Sequence, residues 1–294
     1  MPSFFHDSEK PYWLSMDKGT LVMTNLHLPT SFTFSQSSLQ DYHDCEKRFY
    51  LRYIKRLAWP SIEVEPVLEN EQRQIEGQKF HKLVHQYLLG IPINKLNKQA
   101  ATYPLSQWWQ NYLSSDLELD ENVLLPEIPL ITNLGNHTIT AKYDLIAIHN
   151  DKIRIFDWKT YHKRPSESTM RLRYQTRVYC SLLVKTAPTL IKKQAFDPDK
   201  LEMIYWLANF PAQPIKLIYT ETQYDKDWQH LENVITRIAK QDEFNTTKDE
   251  KKCRFCFYRS YCDRGGIAGN WNDDIEISLD LPELSLEEIE EIEF

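Results

Sequence analysis

Two strand-like runs on either side of a short polar turn place the strongest constraint on the fold of this chain. Residues 137–160 are mostly apolar and β-branched, with a polar dipeptide at 150–151, and this pattern predicts a β-hairpin. Successive side chains of a strand point to opposite faces. Asp157 and Lys159 are therefore expected on one face of the hairpin, and Trp158 on the other.

The hairpin carries a carboxylate on each of its two strands. Asp144 lies on the first strand and Asp157 on the second, two residues before Lys159. Mg²⁺ prefers oxygen ligands and keeps several waters, so two carboxylates and an incoming phosphate suit it. An adjacent ammonium group would position or deprotonate a water, or neutralise charge that develops on phosphorus. The grouping is typical of metal-assisted phosphodiester cleavage, although an Asp-x-Lys triplet alone more often forms an ordinary ion pair on a sheet surface.

Four motifs follow one another along the chain. They are residues 35–53 with Cys45, the pair Gly77 and His81, the set Asp144, Asp157, Trp158 and Lys159, and the pair Gln175 and Tyr179. In this order and spacing they resemble the PD-(D/E)XK nuclease superfamily. More narrowly, they are similar to the RecB and AddB nuclease domains and to the CRISPR-associated iron-sulfur exonucleases. The resemblance covers most of the chain, from residue 31 to residue 265.

The resemblance implies an α/β fold with a restriction-endonuclease-like core, in which helices flank a central mixed β-sheet and an iron-sulfur cluster staples a helical region. The order of the elements supports the same class. Helices are expected near 35–56, 69–89, 101–116, 167–187 and 224–241. Strands are expected near 127–133, 137–148, 152–160, 201–209 and 215–221. The expected domain organisation is an entry segment 1–30, a nuclease domain 31–265 and a flexible acidic tail 266–294.

The resemblance also implies the roles of the site residues. The ligands of Mg²⁺ or Mn²⁺ would be His81, Asp144, Asp157 and the backbone carbonyl of Trp158. The catalytic set would be Asp144, Asp157, Lys159, Gln175 and Tyr179. Lys159 would assist the attacking water, supported by Gln175 and Tyr179, while core packing is an alternative role for Tyr179. The chain departs from the family pattern at Ala141, where glycine is frequent, and at His85, where glutamate is common.

A second set of candidate ligands consists of cysteines. Cys45 lies in the first predicted helix, and Cys253, Cys256 and Cys262 follow the last one. Four thiolates with this spacing can hold zinc or an iron-sulfur cluster, and the resemblance favours [4Fe-4S]. The first twenty residues do not resemble a secretory signal, so a cytoplasmic, reducing location is expected and disulfides are not. Cys180 is expected to be a buried apolar residue.

The net charge of -7 hides an uneven distribution. Residues 273–294 contain ten acidic and no basic side chains, which leaves 35 basic against 32 acidic side chains in residues 1–272. Two groups of basic residues offer phosphate contacts, although a run of charges is usually an ordinary solvated face. They are Arg154, Lys159, His162, Lys163, Arg164, Arg171, Arg173 and Arg177, and Lys47, Arg48, Arg52, Lys55 and Arg56. No apolar run is long enough to span a membrane.

The function expected from these features is that of a Mg²⁺- or Mn²⁺-dependent deoxyribonuclease that acts on single strands or duplex ends. By resemblance, its setting would be DNA repair, recombination or CRISPR adaptation, with a helicase or CRISPR protein as a possible partner. One alternative is a catalytically silent DNA-binding or scaffold subunit of a helicase-nuclease or CRISPR complex. Another is a zinc-binding adaptor.

Overall fold

The structure is a computed structural model that describes residues 28–29, 31–57, 65–119, 123–253 and 256–264. Nearly all of the expected entry segment and all of the expected acidic tail, 266–294, therefore lie outside the described residues. Among the described residues, no helix combines the length and the apolar character needed to cross a bilayer.

After the short strand β1, the described chain contains a group of five α-helices, three strands, two helices, two strands and the helix α8. The helices are α1 Gln36–Asp44, α2 Glu46–Phe49 with a π-helical turn Tyr50–Ile54, α3 Glu65–Leu88, α4 Ile93–Gln99, α5 Leu105–Leu113, α6 Glu167–Leu172, α7 Tyr174–Leu190 and α8 Glu221–Lys240. The strands are β1 Thr33–Phe34, β2 Val123–Leu134, β3 His137–His149, β4 Lys152–Lys159, β5 Leu201–Leu207 and β6 Ile215–Ile218.

The described strands form one mixed six-stranded sheet in the order β1-β3-β4-β5-β6, with β2 paired to β3. β2 and β4 run antiparallel to β3, and β5 runs parallel to β4. The two hairpin turns contain residues with positive φ, Gly135 at 59° and Asn150 at 56°, as short hairpin loops require. Helices flank this sheet, which confirms the predicted α/β fold.

Each face of the sheet has its own hydrophobic core. On the first face, residues of α1, α7 and α8 pack on the sheet, with Tyr143 and Ile155 among the buried residues. On the second, residues of α3, α4 and α5 surround Phe156, Trp158 and Trp206. We call these the α7 face and the α3 face. Trp158 lies on the α3 face, whereas Asp157 contacts α7, so β4 alternates as predicted.

Two helices predicted to be continuous are interrupted. The predicted helix 35–56 begins with a capping box at Ser35 but breaks at Cys45, where φ is -162° and ψ is 110°. The predicted helix 167–187 breaks at Arg173, where ψ is 146°. The backbone at Cys45 brings its thiol into a pocket shared with Cys253, and the Arg173 guanidinium bonds the Tyr161 hydroxyl. Tertiary contacts made by these two side chains accompany the breaks, and helical propensity alone does not reveal them.

Phe80 provides a test of how α3 is anchored on the sheet. Its side chain is fully buried and stacks on Trp206, with ring centroids 5.8 Å apart. We predict that Phe80→Ala lowers the free energy of unfolding by about 3 to 5 kcal/mol, because it removes a buried aromatic ring and leaves a cavity. Urea denaturation measures this change. Leu172→Ala, at a side chain that is 67% exposed, is the control; equal losses in both variants would contradict the prediction.

Candidate active site

Asp144 lies at the fork where β3 separates from β4. The pairing of the two strands extends only as far as Leu145 and Phe156. Beyond that point, Asp144 Oδ2 accepts a hydrogen bond of 2.8 Å from the backbone N–H of Trp158. The N–H and C=O groups of one strand residue point the same way, so the Trp158 carbonyl also lies on the Asp144 side of β4. The Asp144 side chain thus replaces the next backbone hydrogen bond between β3 and β4.

The side chains of β3 change faces at this fork. Ile139, Ala141 and Tyr143 are buried on the α7 face, whereas Leu145 and Ala147 are buried on the α3 face. A regular strand would keep all five on one face. Because the change occurs at Asp144, its carboxylate belongs to neither hydrophobic core and remains available to polar groups from both sides of the sheet.

His81 reaches Asp144 from α3. Its Nδ1 lies 3.2 Å from Asp144 Oδ1. α3 comes close to the end of β4 one turn earlier, where a Cβ built on Gly77 would lie 3.4 Å from Thr160 Oγ1. Burial lowers the pKa of His81, but the Asp144 carboxylate outweighs this effect and raises it to about 9. Burial alone would raise the pKa of Asp144, but the neighbouring His81 lowers it below its usual value. Without a metal, the two therefore form an ion pair at neutral pH.

Asp157 is buried between α7 and Lys159. Only 2% of its surface is exposed. Its Oδ1 accepts a 2.5 Å hydrogen bond from Gln175 Nε2, and its Oδ2 lies 3.0 Å from Lys159 Nζ. Burial raises the pKa of Asp157 to about 7, even though Lys159 and His81 oppose the shift. Nearby Asp144 adds to it.

Tyr179, one turn after Gln175, holds the surrounding elements together. Its hydroxyl donates to the backbone carbonyl of Lys142 at 2.7 Å and accepts from Gln36 Nε2 at 3.4 Å. The ring is buried against Tyr143. These contacts join α7 and α1 to β3 two residues before Asp144, which gives Tyr179 a packing role. The structure thus groups His81, Asp144, Asp157, Lys159 and Gln175, and places Tyr179 directly behind them.

The sequence reasoning missed Glu127. Within the described part of the chain, His81, Glu127 and Asp144 form the group of candidate metal ligands whose donor atoms all lie within 4.8 Å of one another. Asp157 is not part of that group. Glu127 lies on β2 opposite Asp144, between the pairs Pro126–Leu145 and Ile128–Tyr143. An acidic residue within a mostly apolar strand was the signal that could have identified it.

The four candidate cysteine ligands line a single pocket far along the chain from this site. Cys45, Cys253, Cys256 and Cys262 share it with Arg48, Lys252, Arg259 and Arg264. All four cysteines are free of disulfides, and burial raises the pKa of the Cys256 thiol to about 11. Cys180 is buried in the core of the α7 face, as predicted.

Comparisons with known proteins identify a family. The model of the PD-(D/E)XK nuclease superfamily matches residues 33–263. The crystal structure of a "Putative exonuclease" from Eubacterium rectale is similar over 86% of this chain and 96% of its own, with 9% identity and a TM-score of 0.49. The crystal structure of the protein SSO0001 is similar over 78% and 85%, with 15% identity and a TM-score of 0.35. Curated proteins gave no match.

Asp157 should lower the stability of the metal-free protein in a pH-dependent way. Its folded pKa of about 7 exceeds the usual 3.8, so the folded state holds the proton more tightly and stability falls as pH rises from about 4 to 7. Asparagine cannot ionise. We therefore predict that Asp157→Asn stabilises the protein by on the order of 3 kcal/mol at pH 8 and by progressively less towards pH 4.

Urea denaturation in the presence of a chelator, across this pH range, measures the effect. Asp225→Asn, at an exposed position on α8, is the matched control. A constant or negative difference between Asp157→Asn and the unchanged protein would refute the prediction.

Proposed function

The chain belongs to the PD-(D/E)XK nuclease superfamily, and on this premise we propose that it is a Mg²⁺- or Mn²⁺-dependent DNA nuclease that hydrolyses phosphodiester bonds. One observation carries the proposal. Asp144, at the fork of β3 and β4, bonds both to His81 of α3 and to the backbone of Trp158. An imidazole and a carboxylate from different elements thus meet within a few ångströms of the Asp157–Lys159 strand.

The residues at the fork suit a hard divalent ion. Carboxylate oxygens, a backbone carbonyl and one imidazole are ligands that Mg²⁺ and Mn²⁺ accept. An ion held there would supply Lewis-acid stabilisation of the phosphoryl oxygens and a more acidic bound water. His81 must lose its proton before it can act as a ligand, so binding at neutral pH would release that proton. His81, Asp144, Asp157 and the Trp158 carbonyl are the proposed ligands.

Lys159 and Gln175 have distinct proposed roles. The Gln175 amide holds one oxygen of Asp157, which leaves the other oxygen facing the Lys159 ammonium. Lys159 is therefore fixed beside the place where the scissile phosphate would bind. From there it can orient the attacking water and neutralise the negative charge that develops on the phosphoryl group. Tyr179 would support this arrangement through its contact with β3.

Basic side chains near the end of β4 support a nucleic-acid substrate. His162, Lys163 and Arg164 are exposed in the segment that follows Lys159, where they can contact a phosphate backbone. Other arginines suggested by the sequence are engaged within the protein. Arg171 pairs with Glu167, and Arg177 with Asp227.

We propose single strands or duplex ends as the substrate, and DNA repair, recombination or CRISPR adaptation as the setting, with a helicase or CRISPR protein as partner. These finer assignments rest on the sequence motifs. Digestion of linear and circular DNA, each single- and double-stranded, tests the requirement for ends. Degradation of covalently closed circles would refute that requirement while leaving the nuclease assignment intact.

The nuclease assignment itself is tested at Asp157. We predict that Asp157→Asn lowers Mn²⁺-dependent degradation of end-labelled DNA by about 100-fold or more, because it removes an ionised group from the site. Since the same variant is expected to be more stable without metal, misfolding would not account for the loss. Asp225→Asn should retain full activity. Unchanged degradation by Asp157→Asn would favour a catalytically silent DNA-binding subunit.

For the cysteine pocket we propose a [4Fe-4S] cluster. All four cysteines line one pocket. Their spacing along the chain resembles that of the iron-sulfur exonucleases, and this resemblance favours [4Fe-4S] over zinc. Arg48, Lys252 and Arg264 line the same pocket and would balance the negative charge of four thiolates.

The cluster proposal has a spectroscopic test. Protein purified without oxygen should absorb light at about 400 nm and contain about four iron atoms and four sulfide ions per chain. Cys256→Ser should lose the absorbance and unfold at a lower temperature, because the cluster joins α1 to the segment after 250. Cys180→Ala should keep the absorbance. A colourless protein with stoichiometric zinc would instead establish a zinc site.

A further inference from the structure

We propose that Glu127 is a direct ligand of the divalent ion, together with His81 and Asp144; this inference rests on the metal dependence proposed above. The superfamily motifs in the sequence do not include Glu127, which lies on β2, between the motif of His81 and that of Asp144. It would place an additional carboxylate on the side of Asp144 that faces α3. The ion would then be held by donors from α3, β2 and β3.

The donor atoms of the three residues lie close together. One donor atom from each of His81, Glu127 and Asp144 lies within 4.8 Å of the other two, close enough for a small adjustment to bring all three onto one ion. The Asp144 carboxylate is already divided between partners. Its Oδ2 binds the Trp158 N–H, and its Oδ1 faces His81. Asp144 Oδ1 is therefore the oxygen that an ion shared with His81 would bind.

The backbone of Glu127 has an unusual conformation for a strand residue. Its φ is 51°, a left-handed conformation that a non-glycine residue seldom adopts inside a strand. Regular pairing with β3 continues on both sides, at Pro126–Leu145 and Ile128–Tyr143. Strained residues of this kind persist where their surroundings over-determine them, and they cluster at functional sites. Here the strain falls on the one β2 residue opposite Asp144.

The carboxylates of Glu127 and Asp144 bring two negative charges close together. Two carboxylates that converge on one space repel each other unless a cation lies between or beside them. Lys142 Nζ lies 2.6 Å from Glu127 Oε2. A divalent ion held by His81, Asp144 and Glu127 would bind both carboxylates directly. Lys142 would then be displaced or remain at the outer oxygen of Glu127.

A purely structural Glu127–Lys142 ion pair is the competing explanation, and the two make different predictions. As a ligand, Glu127 should affect metal affinity when it is changed, whereas Lys142 should not be needed for binding. As a structural pair, both residues should affect stability to a similar extent, and neither should affect metal affinity selectively.

The experiment is a titration of the full chain with Mn²⁺, followed by calorimetry and by the electron paramagnetic resonance signal of free Mn²⁺. We expect Glu127→Gln to weaken Mn²⁺ binding about tenfold or more, and Lys142→Met to leave it unchanged or strengthen it. Glu118→Gln, at an exposed glutamate that also has positive φ, should bind like the unchanged protein. Equal weakening by Glu127→Gln and Lys142→Met would overturn the inference.

Asp144→Asn separates failure of this inference from failure of the proposed function. If Asp144→Asn abolishes Mn²⁺ binding and Glu127→Gln does not change it, Glu127 is not a ligand but the metal site stands. If neither variant changes Mn²⁺ binding, the metal-dependent nuclease assignment fails at this site.

Glycine variants test whether a loss of Mn²⁺ affinity is caused by misfolding. Glu127 and Glu118 have φ values of 51° and 50°, so glycine relieves the same backbone strain at both positions. Glu127→Gly and Glu118→Gly should both fold, as measured by urea denaturation, and only Glu127→Gly should lose Mn²⁺ affinity. Normal Mn²⁺ affinity in a folded Glu127→Gly variant would also overturn the inference.

Discussion

The hydrogen bond from the Trp158 backbone to Asp144 is the interaction on which the candidate site depends. It replaces the backbone rung at the point where β3 and β4 part. A carboxylate that satisfies a backbone donor in this way is held in position without support from either hydrophobic core. His81 approaches from α3 and Asp157 from the next strand, so both positions are defined relative to this one anchored group. Without the fork, Asp144 would be an ordinary strand residue with one face to occupy.

The two cores explain why the site can hold charges that oppose folding. Large aromatic residues, four of them tryptophans, dominate the α3 face, and a mixture of aliphatic and aromatic residues fills the α7 face. Asp157 is buried on the side of β4 that contacts α7, with its pKa raised to about 7 by burial. Such a group destabilises the metal-free fold, and extensive apolar burial on both sides of the sheet offsets that cost. Shifted pKa values of this size are frequent at functional sites.

Much of this arrangement could be predicted from local sequence patterns. The hairpin, the opposite orientation of Asp157 and Trp158, and the flanking helices follow from periodicity and turn chemistry. The breaks at Cys45 and Arg173 could not be predicted, because tertiary contacts of those side chains accompany them. The position of Glu127 beside Asp144 could not be predicted for a similar reason. Strand periodicity assigns each side chain to one of the two faces of the sheet. At Glu127 a left-handed φ, together with the change of face in β3, brings the carboxylate close to His81 and Asp144 instead.

The left-handed backbone at Glu127 also lies on an exposed edge of the described sheet. Within the described sheet, β2 pairs only with β3, so its other side is an edge, and at twelve residues it is long. Val123 and Ile131 are exposed along it. Long, flat, apolar edges are templates for intermolecular strand pairing, which prolines, charges and local distortions prevent. A glutamate with left-handed φ between Pro126 and Pro129 combines all three features, so the residue proposed above as a metal ligand also disfavours strand pairing along this edge.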